Sequence, residues 1–392
     1  MGYHGNQKAI IITSEYNHRD MRKSIIISLL IFCIAVILAA GCTSPQGSTG
    51  PSTTTAITAG PSSTVAPPEV TRSPEVVAQP RGIADPALVV DVLVPEMIAP
   101  GTTLLGDLHD LDHPRIIEVN MVGEIVWQYN VPEDLTDYVN PGFSVVSLQN
   151  GDILAVFPRN GIYEINRTSK AIVWKFIDPK ASHDAERLSN GDTLIVDGGY
   201  GLDTIQDAEV REITPQGLVV WSWYAKDQFD HSPYDTINDQ GWTHTNAASR
   251  LQNGDTLISL RNFNLTVEVD RDGKVVKTMG EGIMVQQHDP EVEPDGNILF
   301  ANPGRPPVAI EIDPTGKVVW SYVIPKDTGF SQPVRDADRL QNGNTLITAA
   351  NRIIEVTPQG RIVWQFRMKD MQFASRNDAE SRGFYKATRI PT

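Results

Sequence analysis

From about residue 100 to the C-terminus, apolar and polar residues alternate with a period of two in short runs, which predicts half-buried strands. The runs come in pairs. Residues 116–129 read IIEVNMVGEIVWQY, and 162–176 (IYEINRTSKAIVWKF), 210–223 (VREITPQGLVVWSW), 308–322 (VAIEIDPTGKVVWSY) and 353–366 (IIEVTPQGRIVWQF) repeat the plan. Each is a strand, a tight turn and a second strand ending near a Trp. Ahead of these pairs stands another hairpin: Asn150-Gly151-Asp152, Asn190-Gly191-Asp192, Asn253-Gly254-Asp255 and Asn342-Gly343-Asn344, with a worn copy at Asp295-Gly296-Asn297. Asn-Gly and Asp-Gly accept the positive φ angles of a tight hairpin. The copies lie about 40 to 47 residues apart, with one gap of about 63, a period that suits a four-stranded propeller blade.

The predicted fold is therefore all-β: a six-bladed β-propeller over residues 96–392. Five repeats run from about Val139 to Asp370. The sixth is split. Residues 385–390 resemble 183–188, which open a blade, and residues 101–105 resemble 191–195, which continue one. The C-terminal strand is expected to close the ring by joining the first three strands, leaving few free edges. Removing the last ten or so residues should then destabilise the whole domain. Trp127, Trp174, Trp221, Trp320 and Trp364 recur at one position and read as blade-to-blade packing.

A scaffold repeat must repeat, so an exception at a repeated position carries information. Aligned on the hairpin and on the A-x-R-L before it, one position shows Phe143, His183, Asn246, His288, Arg335 and Tyr385. Asp follows it in Asp184, Asp289 and Asp336, and the recurrence marks that Asp as structural. The varied residues should start the innermost strands and face one another across the channel. His244 should enter the same space. Arg261 stands where other blades have Pro158, Gly198, Pro303 and Ala350, and a lone arginine among small residues suggests anion binding. No close pair of metal ligands is visible, so no metal or cofactor is expected. The insertion at residues 225–242, rich in aromatic residues and Asp, is expected either to fold over the channel mouth and grip a ligand's ring or to be a surface loop with His231 solvated.

These residues resemble the arylsulfotransferase family of the PAPS-independent, extracytoplasmic type, over the propeller from about residue 100 onward. His244-Thr245-Asn246, followed by Ser259-Leu260-Arg261, matches the family's H-x-N and S-x-R segments. Gln287-His288-Asp289 matches the segment of its sulfated histidine, and His183-Asp184 its remaining histidine. The resemblance implies a six-bladed propeller that moves a sulfuryl group from an aryl sulfate ester to a phenolic acceptor through a sulfohistidine. It implies His288 as nucleophile, with His183, His244 and Arg261 as the other catalytic residues. Asn246, Arg335, Tyr385 and Phe143 are the expected substrate contacts. The other reading of the same fold is a non-enzymatic cell-surface propeller for binding or scaffolding. A quinone-dependent dehydrogenase, whose repeats also end in Trp, fits less well, because six repeats fall short of its eight blades.

Charge and the N-terminus bear on partners and location. The net charge is −15 with no basic tract, which argues against nucleic acid as a partner. Residues 21–42 have a basic start, an apolar run and small residues before Cys42, as in a secretory signal. Residues 38–42 (LAAGC) resemble a lipobox, which makes Cys42 the expected lipidation site and Met21 the expected start. A single membrane-spanning helix is the alternative anchor. Residues 43–95 read as a flexible linker, rich in Ser, Thr, Pro and Gly up to about residue 80. The protein is thus expected outside the cytoplasm, tethered to the membrane.

Overall fold

The computed structural model describes residues 80–198, 203–326 and 332–391. The signal segment, Cys42 and most of the predicted linker lie outside the described residues. Among the described residues, twenty-five strands form six antiparallel sheets. The Asn-Gly and Asp-Gly turns fall where expected: Gly151, Gly191, Gly254, Gly296 and Gly343 all take positive φ, which glycine adopts without a Cβ penalty.

From the inner strand outward, blade 2 comprises Val145–Ser147, Ile153–Phe157, Gly161–Ile165 and Ile172–Ile177. Blade 3 comprises Ser182–Arg187, Thr193–Val196, Val210–Ile213 and Val219–Trp223. Blade 4 is Thr245–Arg250, Thr256–Leu260, Leu265–Val269 and Val275–Met279. Blade 5 is His288–Val292, Ile298–Asn302, Val308–Ile312 and Val318–Val323. Blade 6 is Val334–Arg339, Thr345–Ala349, Arg352–Val356 and Ile362–Met368. Blade 1 takes its inner strand, Ala387–Ile390, from the C-terminus and its other three, Thr102–Asp107, Arg115–Val119 and Ile125–Asn130, from the start of the domain. The ring closes as the split repeat predicts.

A second closure is not predicted. Leu88–Leu93, inside the stretch read as linker, is a fifth strand on the outer edge of blade 6, paired antiparallel with Ile362–Met368. Its apolar residues Leu88 and Val90 pack on the core shared by blades 6 and 1. Ile83 then bridges to Ile125 in blade 1. The ordered domain therefore begins well before residue 96.

The tryptophans join blades, as expected, and they do so within a fuller motif. Each indole N–H donates to a carbonyl in a turn of the next blade: Trp127 to Arg167 (2.8 Å), Trp174 to Pro215 (2.8 Å), Trp221 to Arg271 (3.1 Å), Trp320 to Pro358 (3.0 Å) and Trp364 to Met121 (2.9 Å). The arginine of A-x-R-L in the next blade stacks over the same ring, at 4.7–5.3 Å, for Arg187 on Trp174, Arg250 on Trp221, Arg339 on Trp320 and Arg389 on Trp364. A glutamate cross-strand from each Trp completes the clasp, with Arg187–Glu164 at 2.9 Å, Arg250–Glu212 at 2.8 Å, Arg339–Glu311 at 2.6 Å and Arg389–Glu355 at 3.0 Å. Blade 2 has Ser147 at the arginine position, and Arg167 takes the role against Trp127 and Glu118.

Candidate active site

The polar side chains gather at one end of the channel because the inner strands are irregular there. In blade 3 the pairing slips between Ile195 and Val196, so His183 and Asp184 oppose no partner. The same slip frees Asn246 in blade 4, Asp289-Pro290 in blade 5 and Arg335 in blade 6. A bulge re-aims the side chains that it releases from the ladder. His183, His244 and Asp289 hold positive φ of 50°, 49° and 46°, and Gln286 before His288 holds 53°. Such backbone costs free energy for a non-glycine residue and concentrates at functional sites. One turn shows what enforces it. Asp203 accepts from the backbone N–H groups of Thr243 (2.8 Å) and His244 (3.1 Å), and Gly241 sits so close that a Cβ there would lie 1.6 Å from the Asp203 carboxylate.

The side chains form an arc. Arg261 Nη1 lies 3.5 Å from His244 Nδ1. The His244 and His183 rings are 5.1 Å apart, His183 and Tyr385 5.8 Å, and Tyr385 and His288 6.3 Å. Arg335 Nη1 ends the arc, 2.9 Å from His288 Nε2. All four residues expected to be catalytic are thus brought together, with Arg335 and Tyr385. Asn246 joins them: its Nδ2 donates to the Gln287 carbonyl at 2.8 Å, while its Oδ1 is buried without a partner. Phe143 does not join them. It is packed in the core of blades 1 and 2, its ring 5.2 Å from Phe157, so its expected role as a substrate contact gives way to packing. The backbone beside it still touches the site, since a Cβ on Gly142 would meet the His183 ring at 3.1 Å.

Tautomers follow from the partners. His288 Nδ1 is 2.9 Å from the Gln286 carbonyl and His244 Nδ1 2.9 Å from the Gln240 carbonyl. A carbonyl only accepts, so each Nδ1 carries the proton and each Nε2 keeps its lone pair. His183 Nδ1 lies against the Ser182 hydroxyl. All three imidazoles are held neutral. Burial, then Arg261 and Arg335, push His183 down to about 3. His288 lies well below the usual histidine value through burial and the same two arginines, and His244 through burial, His183 and Arg261. Arg261 is depressed by burial and then by Arg335, so the two guanidiniums share one space.

The insertion reaches the site through its backbone. Gln240 supplies the carbonyl for His244, and Asp239 lies 3.9 Å from Arg261. Its aromatic rings point elsewhere: Phe229, Tyr234 and Trp242 pack round Phe263 at 4.8–5.5 Å. The expected grip on an aryl ring is not what these rings do, because the core of blades 3 and 4 takes them. His231 is exposed at the surface.

Sequence reasoning missed the floor of the site. Lys386, next to Tyr385, pairs with Asp289 at 2.6 Å and lies 3.7 Å from Asp184. With Glu186 and Glu291 these residues line a cavity of about 300 Å³ farther along the channel. The recurring aspartates also tie inner strands together: Asp184 accepts from Ala248 N at 3.2 Å and Asp336 from Ala387 N at 3.3 Å, which supports their structural reading. Glu380 is the other omission. It lies on the helix Arg376–Arg382, before the closing strand, 3.7 Å from Arg335. Among the described residues, no group of three or more His, Cys, Asp or Glu is placed to hold a metal ion.

Residues 105–288 match the sequence model of the family described as Arylsulfotransferase (ASST), a stretch that holds His183, His244 and Arg261 and ends on His288. No curated protein matches the chain. Among solved structures, a protein of unknown function from Bacteroides caccae is 16% identical with a TM-score of 0.51, over 73% of this chain and 98% of that one, a likeness of fold. An inactive virginiamycin B lyase variant from Staphylococcus aureus, solved with quinupristin, is 12% identical with a TM-score of 0.46, over 77% of this chain and 99% of that one.

Proposed function

We propose that this protein transfers a sulfuryl group from an aryl sulfate ester to a phenolic acceptor, without PAPS, through a sulfohistidine on His288. The observation that carries the reading is the arc itself: a neutral imidazole that keeps a lone pair on Nε2, beside two guanidiniums and two further neutral imidazoles. A nucleophile, a proton acceptor and a pair of cations for a tetrahedral oxyanion are what such a transfer needs.

In the first half-reaction the His288 Nε2 lone pair forms an N–S bond as the bond from sulfur to the aryl oxygen breaks. The aryl oxygen departs as phenolate. Arg261 and Arg335 hold the sulfuryl oxygens, where negative charge is concentrated. Before the second half-reaction a phenol replaces the product. His183 or His244, neutral in the free protein, takes the phenol proton as its oxygen attacks sulfur and the N–S bond breaks. That proton balances the phenolate released first, so the sum is one phenol and one aryl sulfate exchanged for another pair. The unpartnered Asn246 Oδ1 suits the phenolic O–H, and Tyr385 lies between His183 and His288 to flank the aryl groups. A tethered position outside the cytoplasm, through lipidated Cys42 or a single helix, belongs to the same proposal. No nucleotide donor is available there.

The test uses the purified protein with 4-nitrophenyl sulfate and phenol. We expect release of 4-nitrophenol that depends on phenol, and a mass gain of one SO3 group on the peptide containing His288 when phenol is withheld. His288→Ala should abolish both. Absence of release from the unmodified protein, or full activity in His288→Ala, would leave the binding-module reading in place.

A further inference from the structure

We infer that Arg335 caps the Nε2 lone pair of His288 in the free protein and moves from that nitrogen to the sulfuryl oxygens when a donor enters. This rests on the reading of His288 as the nucleophile. The geometry is direct. His288 Nδ1–H is committed to the Gln286 carbonyl at 2.9 Å, which leaves Nε2 as the ring's only acceptor. Arg335 Nη1 is 2.9 Å from it. A guanidinium has no acceptor atom and must be the donor in that contact. The lone pair needed for attack is therefore occupied by the Arg335 donor.

The arginine is built to leave. It lies in the bulge between Val334 and Asp336, outside the sheet ladder, so no backbone pairing fixes its side chain against His288. Its Nη2 has a second anchor in the Glu380 carboxylate, 3.7 Å away. That carboxylate is already shared with Arg376 at 2.9 Å, so it steadies Arg335 without claiming it. A charged sulfuryl oxygen is a better acceptor for a guanidinium than a neutral imidazole nitrogen is. A donor at the channel thus draws the cation off Nε2 and exposes the lone pair toward the sulfur that the same cation now holds. Masking and positioning become two states of one side chain. Arg261 is not equivalent. It faces His244 on the far side of the arc, and its Nη1 also donates to Asn262 Oδ1 at 2.8 Å.

The test reads the nitrogen itself. Wild type, Arg335→Gln and Arg335→Lys are labelled with 15N-histidine, and the His288 Nε2 signal is assigned by its absence in His288→Gln. Unchanged signals from His109 and His113, remote in blade 1, verify folding. The wild-type signal should lie upfield, as for a nitrogen that accepts a hydrogen bond, and move downfield in Arg335→Gln. Adding 4-nitrobenzenesulfonate to wild type should move it downfield too, because its C–S bond does not transfer while its sulfonate competes for the guanidinium. Arg335→Gln should raise KM for 4-nitrophenyl sulfate and lower kcat, with Arg335→Lys recovering KM more than kcat. A His288 signal identical in wild type and Arg335→Gln, or unmoved by saturating sulfonate, overturns the inference. Sulfated His288 together with an identical signal sinks the cap but keeps the proposed function. A displaced signal with no sulfated His288 keeps the cap and sinks the proposed function.

Discussion

His183, His244 and His288 are buried beside two guanidiniums, and each is more stable neutral than it would be in water. The free protein keeps these imidazoles unprotonated well below pH 6.5. If the proposed function holds, the acid limb of kcat/KM, which reports the free protein, should therefore fall below pH 6. A limb at or above pH 6.5 would mean that these histidines are solvated. Asp338, on the inner strand of blade 6, titrates in the opposite sense. Burial, reinforced by Asp289 and opposed by Lys386, pushes Asp338 up to about 7, and one of its oxygens has no partner. Its folded value lies above the unfolded one, so its contribution is full below about pH 3.8 and is lost as pH rises to about 7. Asp338→Asn should thus be more stable than wild type near pH 8, by on the order of 1 kcal/mol, with the two converging near pH 3.8. Urea unfolding at both pH values checks it.

At the scale of the blade, one joint differs from the rest. Between blades 4 and 5, Lys277 pairs with Glu268 where the other blades pair Trp with Glu, and Val292 stands at the arginine position. Both halves of the clasp are missing from the joint that carries His288. Lys277→Trp with Val292→Arg should install it against Glu268. We expect a gain of about 1–2 kcal/mol for the pair, with less than half of that from either substitution alone, since neither group has its partner without the other. Thermal unfolding of the singles and the double, taken as a cycle, measures the coupling; additive effects would deny the clasp. The same joint shows what the chain reveals before folding. The Trp position is legible because it repeats, and the channel histidines because they break a repeat. Their geometry is less so. Phe143 aligns with His183, yet blade 2 pairs regularly from Val145 and leaves its ring in the core, while the slip in blade 3 turns His183 to the channel. Lys386 and Glu380 act from the closing strand and from an unrepeated helix, where no internal copy marks them as exceptions.

At the scale of the ring, two pieces of chain distant in sequence seal adjacent blades, and they should not matter equally. Ala387–Ile390 is the inner strand of blade 1; Ala387 and Arg389 are buried, and Arg389 carries the clasp to Trp364 and Glu355. Its neighbours Tyr385 and Lys386 lie in the arc and on its floor. Leu88–Leu93 adds only to an outer edge, where none of its residues is fully buried. It occurs once and follows a Pro-rich stretch, so periodicity cannot separate it from linker. Deleting residues 384–392 opens the innermost strand, strips Asp289 and Asp184 of their cation, and leaves blade 6 without its partner. That variant should lose cooperative unfolding altogether. Deleting residues 1–94 exposes one strand edge and part of the blade 6–1 core. It should fold, sulfate His288 if the proposed function holds, and unfold cooperatively at a lower urea midpoint. If the C-terminal deletion still melts in one sharp transition, the ring is not what holds the blades together, and each blade pair must be stable on its own packing.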